Sequence, residues 1–469
     1  MEGVGLEPAP SRRPPGRFGR TRRGLGRLLV IFAVAVVLVL GGGIGLFLRD
    51  GGTPTPATGR SAAVSDDALA GAAAVPQDPL ARAIAGLQAR LQAEPADAGS
   101  WALLGFAYVQ QARVTADPSY YPRAEGALRR ALALKPDGNA EALAGLGALA
   151  NARHDFAAAV DFGRQAEAIE PYSANIKAIV SDGLVELGRY PDGFAELQRM
   201  IDTRPDTGTY ARVSYARELE GDVPGAIQVM NLALQSAGTP SDTAFAQYYL
   251  GELSYHSGDL NGAATAYERC AAADPSYVPC AEGSAKVEGA RGQVDAALRD
   301  FQAVVDRYPL PQYVLEYGDL AEASGDHALA QQQYDLFHAE DRLFASNGVD
   351  TNLEVAQFSA DHGVDLADGL AAARAEWRLR QSIQVADAVA WSLHAAGRDR
   401  EALTYADRAL HLGTHSAPFL FHRGVIEQAL GQAKAARADL AEALSIEPYF
   451  SPVWSPRARA ALAALGGAR

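Results

Sequence analysis

The sequence predicts an all-α fold, a right-handed α-solenoid of about ten helical hairpins preceded by one transmembrane helix. Three observations predict it. First, a proline returns on a beat of about 34 residues: Pro171 and Pro205 are 34 apart, as are Pro275 and Pro309, and Pro136 lies 35 before Pro171. A period in this range marks stacked helical hairpins. Second, the chain beyond residue 75 is rich in Ala, Leu, Glu and Arg and poor in β-branched runs, a composition that favours helix throughout. Third, residues 28–48, LLVIFAVAVVLVLGGGIGLFL, hold no charged side chain. As a helix, a segment of that length spans about 30 Å, the thickness of a bilayer core.

Taken in chain order, residues 1–27 form a basic segment with seven arginines between Arg12 and Arg27, opposed only by Glu2 and Glu7. Positive flanks stay inside, so this end is expected in the cytoplasm and everything after the span on the far side. Residues 28–48 read as an uncleaved signal-anchor in the lipid bilayer. The run is longer than the apolar core of a cleaved signal, and GLFLRDGG after it offers no small-x-small cleavage site. Residues 49–78, rich in Gly, Pro, Thr, Ser and Ala, read as a flexible linker. The solenoid follows, in a first part over 79–344 and a second over 345–469 that closes with a C-terminal capping helix. The division falls at ASNGVDTN, where extra residues interrupt the period.

The formal net charge is −14, although residues 1–50 carry eight arginines against three acids. The far-side part is therefore strongly acidic, which argues against a nucleic-acid partner, since that needs a basic footprint. There are two cysteines, Cys270 and Cys280. One falls late in a helix and the other at the start of the next, so a disulfide across the turn is expected in an oxidising compartment. No P-loop, G-x-S-x-G, H-E-x-x-H or zinc-spaced cysteine pattern is present. The expectation is a protein without enzymatic activity, metal or cofactor.

The hairpin grammar is repeated. Trp101, Leu104, Gly105 and Tyr108 open one unit, whose second helix carries Ala124, Leu128 and Ala131 before Pro136. Leu250, Gly251, Gly258, Ala263, Tyr267 and Pro275 make another, and Leu420, Gly424, Gly431, Ala436, Leu440 and Pro448 a late one. Small residues let paired helices approach, large ones fill the groove between them, and proline follows the second helix. Gly188, Gly397 and Gly431 are placed to end first helices in left-handed geometry. On these residues the chain resembles the tetratricopeptide repeat family, and in particular bacterial membrane-anchored members. Ten hairpins are counted over roughly 98–448. A lone helix at 79–94 would cap one end, and the segment from Ser455 the other.

The resemblance implies a concave face lined by the first helix of each hairpin. Projected here, it gives an aromatic patch of Tyr215, Phe245, Tyr248, Tyr249 and Tyr255. Acids flank this patch, among them Glu252, Glu282, Glu316 and Asp319. Trp391, His394 and Phe421 form a second patch. An aromatic floor with an acidic rim suits a protein or peptide partner that is apolar and carries Lys or Arg. The paired Lys and Asn with which some family members grip a carboxylate terminus are not matched. The expected function is a membrane-anchored scaffold for protein–protein interaction in cell-envelope assembly or biogenesis. A chaperone-like subunit of a secretion or cytochrome-maturation system is the alternative, and a hydrolase with a site near His362 a more distant one.

Overall fold

The computed structural model describes residues 79–467. The expected basic segment, membrane anchor and linker lie outside the described residues. Every regular element described is a helix. None of them is long and apolar enough to cross a membrane.

A lone helix, α1 (Pro79–Ala93), precedes ten hairpins. The first five are α2 (Ala98–Thr115) with α3 (Tyr120–Leu134), α4 (Ala140–Ala152) with α5 (Phe156–Ile169), α6 (Ala174–Glu186) with α7 (Tyr190–Thr203), α8 (Thr207–Leu219) with α9 (Val223–Gln235), and α10 (Pro240–His256) with α11 (Leu260–Ala273). The second five are α12 (Pro279–Ala290) with α13 (Val294–Arg307), α14 (Pro311–Ser324) with α15 (His327–Ser346), α16 (Asn352–His362) with α17 (Leu366–Leu379), α18 (Ile383–Ala395) with α19 (Asp399–Ala409), and α20 (Ala417–Ala429) with α21 (Ala433–Ile446). The capping helix α22 (Trp454–Gly467) ends the array.

Local chemistry sets these boundaries. Asp97, Asn139, Ser173, Asp206 and Asp259 each accept a hydrogen bond from a backbone N–H in the first turn of the helix they precede, satisfying a donor that the helix leaves orphaned. Gly188, Gly397 and Gly431 do end first helices with positive φ. Within hairpins, a ring or branched side chain lies against glycine. The Tyr267 ring is wedged between Gly251 of its own hairpin and Gly283 of the next, where a Cβ on either glycine would stand 2.4 Å from a ring carbon. Leu128 sits in the same way between Gly105 and Gly145. Cys270 in α11 and Cys280 in α12 form a disulfide with Cα atoms 5.7 Å apart. It ties the fifth hairpin to the sixth.

The solenoid coils tightly enough to touch itself. The turn inside each of the first five hairpins meets the loop that follows a hairpin five units later. Tyr308 Oη donates to the Arg113 carbonyl, Asp350 N donates to the Arg153 carbonyl at 3.0 Å, and Gln381 N to the Leu187 carbonyl at 3.3 Å. Thr414 Oγ1 donates to the Leu219 carbonyl, and His256 Nδ1 lies 3.1 Å from Glu447 Oε2. The irregular loop at ASNGVDTN belongs to this series. Its Asp350 carbonyl also meets His154 Nδ1 at 2.7 Å, so the extra residues reach the neighbouring coil. Across the same loop, α15 and α16 meet through rings, with Phe337 stacked on Phe358 at 4.8 Å.

Candidate functional site

First helices line the inside of the coil, and contact between coils closes that inside off from much of the solvent. It collects carboxylates: Asp182 and Glu186 on α6, Glu218 on α8, Glu252 on α10, Glu282 on α12, and Glu316 and Asp319 on α14. Some are paired deep in the packing. Asp182 takes Arg212 Nε and Nη2 at 2.8 and 2.9 Å. Glu186 takes Arg380 Nη1 at 2.8 Å from the next coil, and the same guanidinium bonds Glu376.

Burial is the largest influence on these acids. It raises Asp182 to about 6 despite Arg212, and Glu186 to about 7 despite Arg380. Glu218 and Glu354 are likewise pushed up to about 7. A carboxyl whose folded pKa lies above its unfolded value keeps its proton on folding. The stability it contributes is complete below the unfolded pKa, near 4 to 4.5, and is lost as pH rises through the folded value. His256, lifted to about 10 by Glu447 and Glu252 against the effect of burial, acts in the same direction at higher pH. His154, lowered by burial, acts against it. Thermal unfolding should therefore give a higher Tm at pH 5 than at pH 7.5, by about 2 kcal/mol or more in stability. Equal or greater stability at pH 7.5 would contradict these environments.

The aromatic floor expected from the sequence is packed rather than open. Phe245, Tyr248, Tyr249 and Tyr255 are all buried, with Tyr248 and Tyr249 only 3 % and 2 % exposed. Phe245 and Tyr248 pack their rings on Tyr249, and Tyr248 Oη donates to Glu282 Oε2 at 3.1 Å. Half-buried Tyr215 accepts from Gln384 Nε2 of the neighbouring coil at 3.1 Å. The reason is geometric: in so tight a coil, large first-helix residues meet the next hairpin instead of a partner. The second patch is packed as well, with Trp391 and Phe421 buried and His394 partly exposed. Trp391 Nε1 donates to Asp361 Oδ1 at 2.7 Å, its ring lies between His394 and His422, and Phe421 is buried against it. His394 Nδ1 lies 2.5 Å from Asp399 Oδ1. His362 is buried between the Tyr334 and Phe358 rings, 3.7 Å from Asp319. Among the described residues, no group of His, Cys, Asp and Glu is arranged to hold a metal ion.

A chamber of about 330 Å³ is bounded by α10, α12, α14 and the Glu447–Arg459 segment. Glu252, Glu316, Asp319 and Glu447 line it, with His256 and Lys286 as the inner cations. Glu282 lies directly behind. Lys286 Nζ sits between Glu252, at 2.8 and 2.9 Å, and Glu282, at 2.9 Å. Burial would raise Glu252, but Lys286 and His256 outweigh it and hold the group at about 2. Glu282 goes the other way: burial holds it well above the usual carboxylate range. The two carboxylates on Lys286 are thus pushed in opposite directions. Exposed Ala323 and Ser324 at the end of α14 and Pro456 and Arg459 of α22 form the rim. Sequence reasoning singled out Glu252, Tyr255, Glu316 and Asp319, which do line the chamber. It missed His256, Lys286, Gln312 and Glu447, although His256 and Lys286 stand four residues from Glu252 and Glu282, one helical turn along the same face.

No family model matches the chain, and no curated protein matches it in sequence. Solved structures to which it is similar include the APC/C hetero-tetramer Cut9-Hcn1, at 15 % identity over 81 % of each chain with a TM-score of 0.38. A tetratricopeptide repeat protein from Parabacteroides merdae is 16 % identical over 56 % of this chain and 99 % of its own, with a TM-score of 0.34. A human IFIT1 dimer with m7Gppp-AAAA is 16 % identical over 70 % of this chain and 76 % of its own, with a TM-score of 0.44. The chain resembles tetratricopeptide repeat proteins, and its ten stacked hairpins are the physical content of that resemblance.

Proposed function

We propose that this protein is a membrane-anchored scaffold for protein–protein interaction in cell-envelope assembly, tethered by residues 28–48 with its solenoid outside the cytoplasm. The observation that carries the reading is a helical-hairpin array whose interior opens to solvent at a chamber large enough to admit a side chain of a partner. An extended stack of hairpins offers a long surface for a polypeptide. The disulfide fits an oxidising compartment. The acidic balance beyond residue 50 favours a basic protein segment over nucleic acid.

The test is photocrosslinking in intact cells of the native host, with a photoreactive residue at Ser324 on the chamber rim and mass spectrometry of what is captured. One dominant envelope protein is the expected result. Capture of a broad set of partly folded exported proteins would replace the scaffold with a holding chaperone. No adduct at Ser324 would remove the chamber from the interaction.

A further inference from the structure

The chamber's wall is unbalanced in a specific way. Gln312 Nε2 donates to Glu316 Oε1 at 2.8 Å and Glu282 also bonds this carboxyl, yet Gln312 Oε1 is hidden from solvent without a hydrogen-bond partner, and Glu316 Oε2, hidden too, is paired with no cation. Tyr449 Oη, on the facing segment, is hidden and unpartnered as well. Buried polar atoms are normally satisfied, and those left over around a cavity point to what the cavity takes. Two of these three can only accept when Glu316 is ionised. The positive charges already present are engaged elsewhere: Lys286 with Glu252 and Glu282, His256 with Glu252 and Glu447, and Arg459 Nη1 with the Pro448 carbonyl at 2.7 Å. The chamber therefore holds acceptors for a further cation, and among the described residues none of its own cations forms an ion pair with Glu316. Tyr255 and Phe450 supply apolar wall for an aliphatic stem.

We infer that the chamber is a receptor for a compact organic cation, the ammonium or guanidinium end of an aliphatic chain, which enters past Ser324 and pairs with Glu316 and Gln312. The inference deepens the scaffold reading and rests on it for the source of that cation, a lysine or arginine of a partner. A free polyamine carries the same chemistry. The titration of the wall is consistent with the assignment. Burial raises Glu316 above the ordinary carboxylate range, with Glu252 adding to the effect and Lys286, Gln312 and Glu282 opposing it. An arriving cation would favour the ionised form, so binding should expel a proton and tighten as pH rises.

Titration calorimetry on the full chain in detergent tests this, with three probes: acetyl-Leu-Lys-Leu-amide, its uncharged norleucine counterpart, and 1,5-diaminopentane. Running each in two buffers of different ionisation enthalpy counts the proton. The expected result is binding of the lysine peptide with proton release, and none of the norleucine peptide. Glu316→Gln should weaken the lysine peptide by roughly tenfold or more and abolish proton release. That variant is isosteric and uncharged like the protonated acid it replaces. Should it unfold, Gln312→Met is to show the loss of affinity with proton release retained. Tighter binding of the peptide than of the diamine assigns the site to a polypeptide, and the reverse to a free amine. Equal binding of the lysine and norleucine peptides, or lysine-peptide affinity unchanged in both variants, overturns the inference. Capture of a partner at Ser324 alongside that failure would leave the scaffold standing without its cation site.

Discussion

Replacing Gly221 with alanine should destabilise the protein far more than the same replacement at Gly292, although both glycines end a first helix with φ of +77°. Each substitution forces an L side chain into left-handed geometry, at a cost of about 1–2 kcal/mol. The surroundings then separate them. A Cβ at Gly292 meets nothing within 4 Å, whereas at Gly221 it would stand 2.2 Å from the carbonyl oxygen of Gly413 on the neighbouring coil. That neighbour is backbone, with no rotamer to change, so either the coils part or the helix ends shift. Such overpacking adds about 1–3 kcal/mol. Urea unfolding of the two variants isolates the difference. Gly188 and Gly258, which face the Gln381 and Ile446 carbonyls, should behave like Gly221. Equal losses at Gly221 and Gly292 would mean that the coils do not touch.

Arg380→Met should be the most damaging side-chain change. The guanidinium is 5 % exposed, bonded to Glu186 and Glu376, and lies 4.8 Å over the Phe156 ring of another hairpin. It joins the second, third and eighth hairpins at once. Removing one member of a buried charge network leaves the others without compensation, at about 3–5 kcal/mol. Methionine fills much of the volume and isolates the charge. With Glu186 already raised to about 7, the vacated carboxylate should take up a proton, so the loss should shrink on acidification. Arg380→Met with Glu186→Gln should recover part of the stability, which a double-mutant cycle reads directly. Additive effects, each within the range of surface substitutions, would contradict the contact.

These residues also show where the sequence was informative. Hairpin boundaries were legible because they are local chemistry: Pro after a second helix, Gly188, Gly397 and Gly431 at the ends of first helices, Asp or Ser at the starts. The Cys270–Cys280 separation placed both thiols at one turn for the same reason. The coil-to-coil contacts were not legible. Gly221 and Gly292 sit in the same place in the hairpin grammar, and what distinguishes them is a residue almost two hundred positions away. That depends on the pitch of the whole coil, the sum of small rotations at every hairpin junction. The fate of the aromatic patch follows from the same pitch. On a shallow superhelix Tyr248 and Tyr249 would face a groove; on this tight one they pack. Glu252, Glu316 and Asp319 line a chamber that α22 borders, a neighbour far off in sequence.

The measurement that most directly tests the closed coil is a pulsed electron–electron distance between spin labels at Glu220 and His415, both exposed and 195 residues apart in sequence. A closed coil predicts one narrow distribution at short distance, since their neighbours Leu219 and Thr414 are hydrogen-bonded. A broad distribution at long distance would show an open superhelix. The interior would then be a groove rather than a closed lumen.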